Sequence, residues 1–175
     1  GVMQSNTWID SGGRWFRLGD SGAMLTSTWL SQGDSWYYLG ADGSMATGWT
    51  QVEGAWYYLG GDGAMTTGWA QIGNSWYYFN TNGVMQSDKW ISSGGQWFRL
   101  GDSGAMVTST WLSQGGSWYY LYADGSMATG WAQLGGTWYY FGTNGIMATN
   151  TWVGDYYLQD NGSMATGTTW VGGTK

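Results

Sequence analysis

The 175-residue sequence has no cysteine, no histidine and no proline. Without cysteine, disulfides cannot hold the fold and thiol chemistry is excluded. Without histidine, the chain lacks both the usual general base near neutral pH and the commonest metal ligand. We therefore expect no enzymatic activity, no metal site and no cofactor.

Charge is also scarce, at 9% of the residues, and the net charge is −6. The few basic residues are scattered rather than clustered: Arg14, Arg17, Lys89, Arg99 and Lys175. Nucleic-acid binding requires basic residues that neutralise phosphates, so we expect no nucleic-acid partner. No apolar run approaches the roughly 18 residues that cross a bilayer, so we expect no membrane span. The acidic residues lie mostly in turns and form no isolated pair of the glycosidase type.

Aromatic residues, by contrast, make up 19% of the chain, including 16 Trp and 13 Tyr. So many aromatic side chains with so few charges must be buried together or reserved for a ligand. For any single tryptophan, packing between repeats and contact with a ligand are both open interpretations. The methionines are expected mainly to pack.

The sequence is repetitive. Methionine recurs mostly every 20 or 21 residues, each time followed by a tryptophan, and a second tryptophan lies seven residues after each of the first seven. A longer period of 82 residues is superimposed, since the segment beginning at Gly1 recurs from Gly83. We expect one array of about eight units over residues 1–175, with super-repeats 1–82 and 83–164 and both ends inside a repeat. Trp170 would begin a hairpin that lacks its return strand.

One unit is interpreted as a β-hairpin, with strands 69–72 and 75–79 joined by Gly73 and Asn74. A two-residue link that contains glycine is a strong hairpin signal, because glycine readily adopts positive φ. Side chains alternate along each strand. One face should carry Trp69, Gln71, Trp76 and Tyr78, and the other Ala70, Ile72, Tyr77 and Phe79.

A second turn follows in every unit, for example Ala41-Asp42-Gly43, and returns the chain towards the next hairpin. Its Asp and Asn residues are explained by turn chemistry rather than by calcium binding. A lone hairpin is marginal in water, whereas stacked hairpins bury their aromatic faces. The sequence therefore predicts an all-β solenoid, a superhelix of stacked hairpins of about 20 residues, with almost no helix.

The repeat also carries a family likeness. The segment Met127–Gln133, followed by Trp138-Tyr139-Tyr140-Phe141 and a turn such as Ala-Asp-Gly or Thr-Asn-Gly, resembles the choline-binding repeats of Gram-positive bacterial and phage surface proteins. The likeness covers essentially the whole chain. Related repeats occur in glucan-binding and toxin proteins.

This resemblance implies ligand sites between successive repeats. In that family, two Trp of one repeat and a Tyr of the next enclose the trimethylammonium group of choline, sometimes with a Met. Such modules sit on choline or phosphocholine of teichoic acids in the cell wall, outside the cell, while a separate domain does other work. Position by position, the expected sets are Trp8, Trp15 and Tyr38; Trp29, Trp36 and Tyr58; Trp49, Trp56 and Tyr78; Trp90, Trp97 and Tyr120; Trp111, Trp118 and Tyr140; and Trp131, Trp138 and Tyr157.

The pattern breaks at three places. Two units place Arg17 and Arg99 where the others have their second tyrosine, and an arginine there would repel a cation or stack on the tryptophan. We therefore expect the set of Trp69 and Trp76, whose partner would be Arg99, to take no choline. The eighth unit, residues 152–158, has a short loop and lacks its second tryptophan.

Two other functions remain open. A polysaccharide such as glucan could stack on the aromatic faces, with Gln71, Gln133 and the Asn and Asp residues of the turns supplying hydrogen bonds. Alternatively, the array could be a stalk or fibre that self-associates head to tail through its repeat ends and binds no small molecule.

Overall fold

The computed structural model describes residues 4–167, which form β-strands and no helix. The strands are β1 (Trp8–Ser11), β2 (Arg14–Arg17), β3 (Thr28–Gln32), β4 (Ser35–Leu39), β5 (Gly48–Val52), β6 (Ala55–Leu59), β7 (Gly68–Ile72), β8 (Ser75–Phe79), β9 (Lys89–Ser93), β10 (Gln96–Leu100), β11 (Thr110–Gln114), β12 (Ser117–Leu121), β13 (Gly130–Leu134), β14 (Thr137–Phe141), β15 (Thr151–Val153) and β16 (Tyr156–Leu158). Within this part of the chain, no helix long and apolar enough to cross a membrane occurs. Trp170 lies outside the described residues.

Consecutive strands pair antiparallel into eight separate two-stranded sheets, here called hairpins 1 (β1–β2) to 8 (β15–β16). In hairpin 4, Trp69 pairs with Tyr78, Gln71 with Trp76 and Ile72 with Ser75. This is the register predicted from the two-residue link. Gly73 in that link has a φ of 63°, the left-handed region that glycine adopts at low cost.

The chain divides into two compact units, Gly1–Ser87 and Asp88–Lys175. The first contains hairpins 1–4 and the second hairpins 5–8. Within each unit, the segment that follows one hairpin reaches back to the hairpin before it. The backbone N–H of Met65 donates to the carbonyl oxygen of Trp36 at 2.8 Å, and that of Met147 donates to Trp118 at 2.8 Å. Successive hairpins are thereby joined through their backbones, which confirms the predicted all-β fold of stacked hairpins.

The core of each unit is a row of apolar side chains at the end of each hairpin's second strand. These positions are completely buried: Leu39, Leu59 and Phe79 in the first unit, and Leu100, Leu121, Phe141 and Leu158 in the second. Burying one such side chain contributes about 1.5–3 kcal/mol relative to leaving it exposed. The row is therefore a main source of stability, whereas the second tryptophan of each hairpin that has one keeps 39% to 47% of its surface exposed.

Candidate functional site

In the regular hairpins, two tryptophans stand at right angles on one face. The ring centroids of Trp49 and Trp56 are 6.3 Å apart with planes at 84°, and those of Trp131 and Trp138 are 6.5 Å apart at 79°. The two side chains are diagonal neighbours across the strand pair, which brings large rings within reach. Trp56 keeps 42% of its surface exposed, so it forms a wall open to solvent rather than part of the core.

A tyrosine of the following hairpin supplies the third wall. The ring of Trp111 lies 4.9 Å from that of Tyr139 at 70°, and the ring of Trp49 lies 4.8 Å from that of Tyr77 at 72°. In both cases the tyrosine is the first of the Tyr-Tyr pair. Its side chain projects from the opposite face of its own hairpin and therefore meets the tryptophans of the preceding one.

The second tyrosine of each pair, which the family resemblance implies for this role, lies elsewhere. Tyr58 packs against Trp49 of its own hairpin at 5.4 Å, and Tyr140 packs against Trp131 at 5.3 Å. Because this tyrosine shares a face with its own tryptophans, it cannot also project back to the previous hairpin. Tyr38, Tyr120 and Tyr157 likewise contact Trp29, Trp111 and Trp152 of their own hairpins.

The structure therefore brings together different tyrosines from those expected. The observed tryptophan–tyrosine contacts between hairpins are Trp8–Tyr37, Trp29–Tyr57, Trp49–Tyr77, Trp90–Tyr119, Trp111–Tyr139 and Trp131–Tyr156. Hairpin 8 takes part through Tyr156, although it lacks a second tryptophan. The expected short loop is wrong, because the link of Gly154 and Asp155 has two residues as in the other hairpins and it is β15 and β16 that are shorter. Trp69 and Trp76 belong to the first unit and Arg99 to the second. That this set takes no choline stays a prediction.

Four of these contacts border open cavities of about 390 to 460 Å³, and each cavity has a methionine in its wall. Met45 lies beside Trp8, Trp15 and Tyr37. The methionine at the other three is Met127, Met147 or Met164. The expectation that the methionines mainly pack is therefore too narrow, because these side chains also face the cavities.

The methionine is held in place by the turn of the next hairpin. Gly63 has a φ of 82°, and a Cβ built on it would lie 2.3 Å from the Sδ atom of Met45. Such a distance is far below van der Waals contact, so only glycine fits there without a rearrangement. This glycine is thus required both by the backbone conformation and by the close approach of Met45.

The same turns bring polar residues to the rims of the cavities. Asp62 lines the cavity of Trp8 and Trp15, and Asn144 lines that of Trp90 and Trp97. Asp160 and Asn161 line the cavity of Trp111 and Trp118. The complete site therefore takes residues from three successive hairpins. From the sequence, these residues are expected to form turns and, in the glucan alternative, to hydrogen-bond a sugar. They lie too far along the chain from the tryptophans for spacing alone to place them at these cavities.

The two arginine-containing hairpins differ from the regular ones. The guanidinium carbon of Arg17 lies 5.9 Å from the ring centroid of Trp8. The arginine therefore stacks on the tryptophan, which is one of the two arrangements expected from the sequence. Arg99 is only 8% exposed and forms an ion pair with Asp88. The indole N–H of Trp8 donates to the side-chain oxygen of Gln32 at 2.9 Å, a bond between hairpins that fixes the ring.

Hydrogen bonds also set the charge of some turn carboxylates. The Ser44 hydroxyl, the Ser44 backbone N–H and Arg14 together hold the pKa of Asp42 well below its usual range. The Ser126 hydroxyl and backbone N–H lower the pKa of Asp124 in the same way. Among residues 4–167, no group of three or more acidic, His or Cys side chains could hold a metal ion.

The side chains that surround each cavity are mainly aromatic rings and one methionine thioether. Such a lining suits a compact apolar or cationic group.

Comparison with known proteins identifies the family of the repeats. Choline-binding repeat profiles match residues 31–67, 66–111 and 113–152, and a second profile of the same description matches residues 2–44 and 147–174. No curated protein shows significant sequence similarity to the chain.

Solved structures of Streptococcus pneumoniae proteins are similar over almost the whole chain. Choline-binding protein F is 39% identical over 93% of this chain and 58% of its own, with a TM-score of 0.82. For CbpJ the identity is 37%, the coverage 93% and 58%, and the TM-score 0.85. The choline-binding domain of CbpL is 34% identical over 98% of this chain and 92% of its own, with a TM-score of 0.78. The chain thus spans 58% of the length of choline-binding protein F and of CbpJ. It belongs to the choline-binding repeat family.

Proposed function

We propose that this chain binds choline in the aromatic cavities between its hairpins. The observation that carries the proposal is the three-walled cage of two perpendicular tryptophans and the first tyrosine of the next hairpin. In the best-formed example, Trp111 and Trp118 meet at 81° and Tyr139 closes the third side.

A trimethylammonium group has no N–H to donate, so it cannot form a conventional hydrogen bond, and π faces stabilise it instead. Each aromatic contact contributes about 0.5–2 kcal/mol. Three contacts thus supply a few kcal/mol, which corresponds to about millimolar affinity once the cost of binding is included. The methionine beside each described cavity adds a polarisable apolar contact.

Sites that bind weakly one at a time can bind a polymer tightly when several of them lie in one array. When several cages engage a polymer that carries many choline groups, each further binding event is intramolecular and the overall affinity rises by orders of magnitude. The partner that fits is choline or phosphocholine on teichoic acid, which would place the chain on the cell wall, outside the cell. Choline-binding repeat domains are generally non-catalytic binding modules. We therefore assign this chain an anchoring role for the protein that carries it.

Within residues 4–167, no contact specifically favours glucan. Gln133, one of the residues expected to donate to a sugar, donates instead to the carbonyl oxygen of Gly136 in its own hairpin. Gln51 makes the equivalent bond to Gly54. Head-to-tail self-association stays a prediction.

The test is a titration of the purified chain with choline chloride, followed by tryptophan fluorescence and near-UV circular dichroism. We expect a saturable change at millimolar choline and a higher melting temperature, because the ligand binds the folded state. Sodium chloride and glucose oligomers at the same concentrations should produce neither effect. A response to the sugar but not to choline would overturn the proposal in favour of glucan binding.

A matched pair of variants connects the response to the cages. Trp118→Leu removes a wall of one cavity, whereas Trp152→Leu changes a tryptophan that is 55% exposed and lines none of the four described cavities. Only the first should reduce the number of choline molecules bound. An equal loss in both variants would show that choline binds outside the cages.

A further inference from the structure

Two of the cavities are copies of one another along the chain. The hairpin-1 cavity is walled by Trp8, Trp15, Tyr37 and Met45, and the hairpin-5 cavity by Trp90, Trp97, Tyr119 and Met127. Each wall residue of the first has its counterpart in the second at the 82-residue period. At the rim the two differ, because Asp62 stands where the other cavity has Asn144.

The two rim residues make the same bond within their turns. The Oδ1 atom of Asp62 accepts the backbone N–H of Ala64 at 3.0 Å, and that of Asn144 accepts the N–H of Ile146 at 3.1 Å. Exchanging one residue for the other should therefore preserve the turn while it adds or removes one negative charge. The neighbouring Asp42 is paired with Arg14, whereas no ion pair to Asp62 occurs within residues 4–167.

We propose that Asp62 is a specificity-determining residue that makes the hairpin-1 cavity favour choline over phosphocholine. The proposal rests on the proposed choline-binding function. A carboxylate at the rim attracts the quaternary ammonium group and repels the phosphate that phosphocholine carries beside it. Asn144 carries no charge, so the hairpin-5 cavity lacks this discrimination. One array would thus contain sites with different preferences for the free and the phosphorylated ligand.

Charges outside the cavity walls also differ between the two copies. Asp88, the ion-pair partner of Arg99, is replaced by Asn6 at the equivalent place in the first unit, and Arg14 by Gln96 in the second. A comparison between the two native cavities would therefore mix several effects. Reciprocal exchange of the rim residue within each cavity removes that ambiguity.

The experiment uses the whole chain as wild type, D62N and N144D, each labelled with ¹³C in the methionine methyl groups. The signals of Met45 and Met127 report their own cavities separately and are assigned with Met45→Leu and Met127→Leu variants. Each protein is titrated at constant ionic strength with choline, with phosphocholine and with 3,3-dimethylbutan-1-ol, the uncharged analogue of choline. The ratio of the phosphocholine Kd to the choline Kd is measured at each methyl group.

We expect D62N to lower this ratio at Met45 by about three- to tenfold and to leave Met127 unchanged, given one screened charge at the rim. N144D should raise the ratio at Met127 by a similar factor and leave Met45 unchanged. Affinity for the uncharged analogue should stay the same in all three proteins. Choline binding with ratios that neither exchange alters would overturn the inference while the proposed function stands. Absence of any choline response at both methyl groups would overturn the proposed function and, with it, the inference.

Discussion

Met45 donates its backbone N–H to the carbonyl oxygen of Trp15 at 2.7 Å, and the side chains of both residues line the same cavity. The bond that joins hairpin 2 to hairpin 1 therefore also fixes two walls of the site. Stacking and ligand binding are consequently coupled, because a loose stack would lose its cage geometry.

The choice between the two tyrosines of a hairpin can be tested directly. Tyr139 faces Trp111 of the previous hairpin, whereas Tyr140 packs on Trp131 of its own. Tyr139→Leu should weaken choline binding at the Met147 methyl group about two- to thirtyfold, since it removes one cation–π contact of about 0.5–2 kcal/mol. Tyr140→Leu should lower the melting temperature with little effect on that site. The opposite pattern would restore the assignment made from sequence.

Because a turn glycine contacts a methionine, two Gly→Ala substitutions should lower the free energy of unfolding by different amounts. Gly54 and Gly63 have similar φ values of 84° and 82°, but only the Cβ at position 63 would meet another atom, the Sδ of Met45. Gly54→Ala should cost about 1 kcal/mol through its φ alone. Gly63→Ala should cost about 1 kcal/mol more than Gly54→Ala, because the Met45 side chain must also move aside. Urea denaturation measures both, and equal midpoints would contradict the packing role.

In the buried row, the stability of the fold should depend on the volume of the side chain more than on its being aromatic. Phe141 is completely buried, and the equivalent position is leucine in hairpins 2, 3, 5, 6 and 8. Phe141→Leu should therefore cost only about 1 kcal/mol, whereas Phe141→Ala should cost about 3–5 kcal/mol through the cavity it leaves. Thermal unfolding of the two variants beside the wild type provides the measurement. A severe loss in the leucine variant would show that the ring itself is required.

The hydroxyl group of Ser126 should contribute to stability in acid. Ser126 donates its Oγ–H to Asp124 at 2.6 Å and its backbone N–H to the same oxygen at 2.9 Å, and these bonds lower the pKa of Asp124 below its ordinary 3.8. A lowered folded-state pKa stabilises the fold above the unfolded pKa, and this contribution is lost as pH falls through the folded value. Ser126→Ala should raise the pKa of Asp124, as carboxyl NMR would show, and move acid unfolding to higher pH. Ser117→Ala in the same hairpin is the control, and an unchanged Asp124 pKa in Ser126→Ala would exclude the hydroxyl as its cause.

Much of this architecture was predictable because the repeat signals are local. The two-residue links fix the register of each hairpin, so the pairing of Trp69 with Tyr78 followed from counting outward from Gly73. The alternation of side chains also placed Tyr77 and Tyr78 on opposite faces. That alternation was enough to identify Tyr77 as the residue facing the previous hairpin, but the assignment by resemblance took the tyrosine that shares a face with Trp69.

The rim of the site and the burial of Arg99 could not be predicted from the pattern of residues within one repeat. Asp62 reaches the Trp8 cavity only because the turn of hairpin 3 lies against Met45, a contact that depends on how successive hairpins stack. The burial of Arg99 likewise depends on its ion pair with Asp88, a residue outside the repeat's aromatic pattern. Such contacts join distant residues through packing, and sequence spacing does not encode their geometry.

The sharing of one cavity among three hairpins has a consequence for how such arrays change in evolution. A hairpin gives its tryptophans to one site, its first tyrosine and methionine to the site before, and its turn residue to the site before that. Duplicating or exchanging one repeat therefore recombines parts of three neighbouring sites at once. New combinations of cage and rim arise by shuffling alone, before any residue within a repeat has mutated.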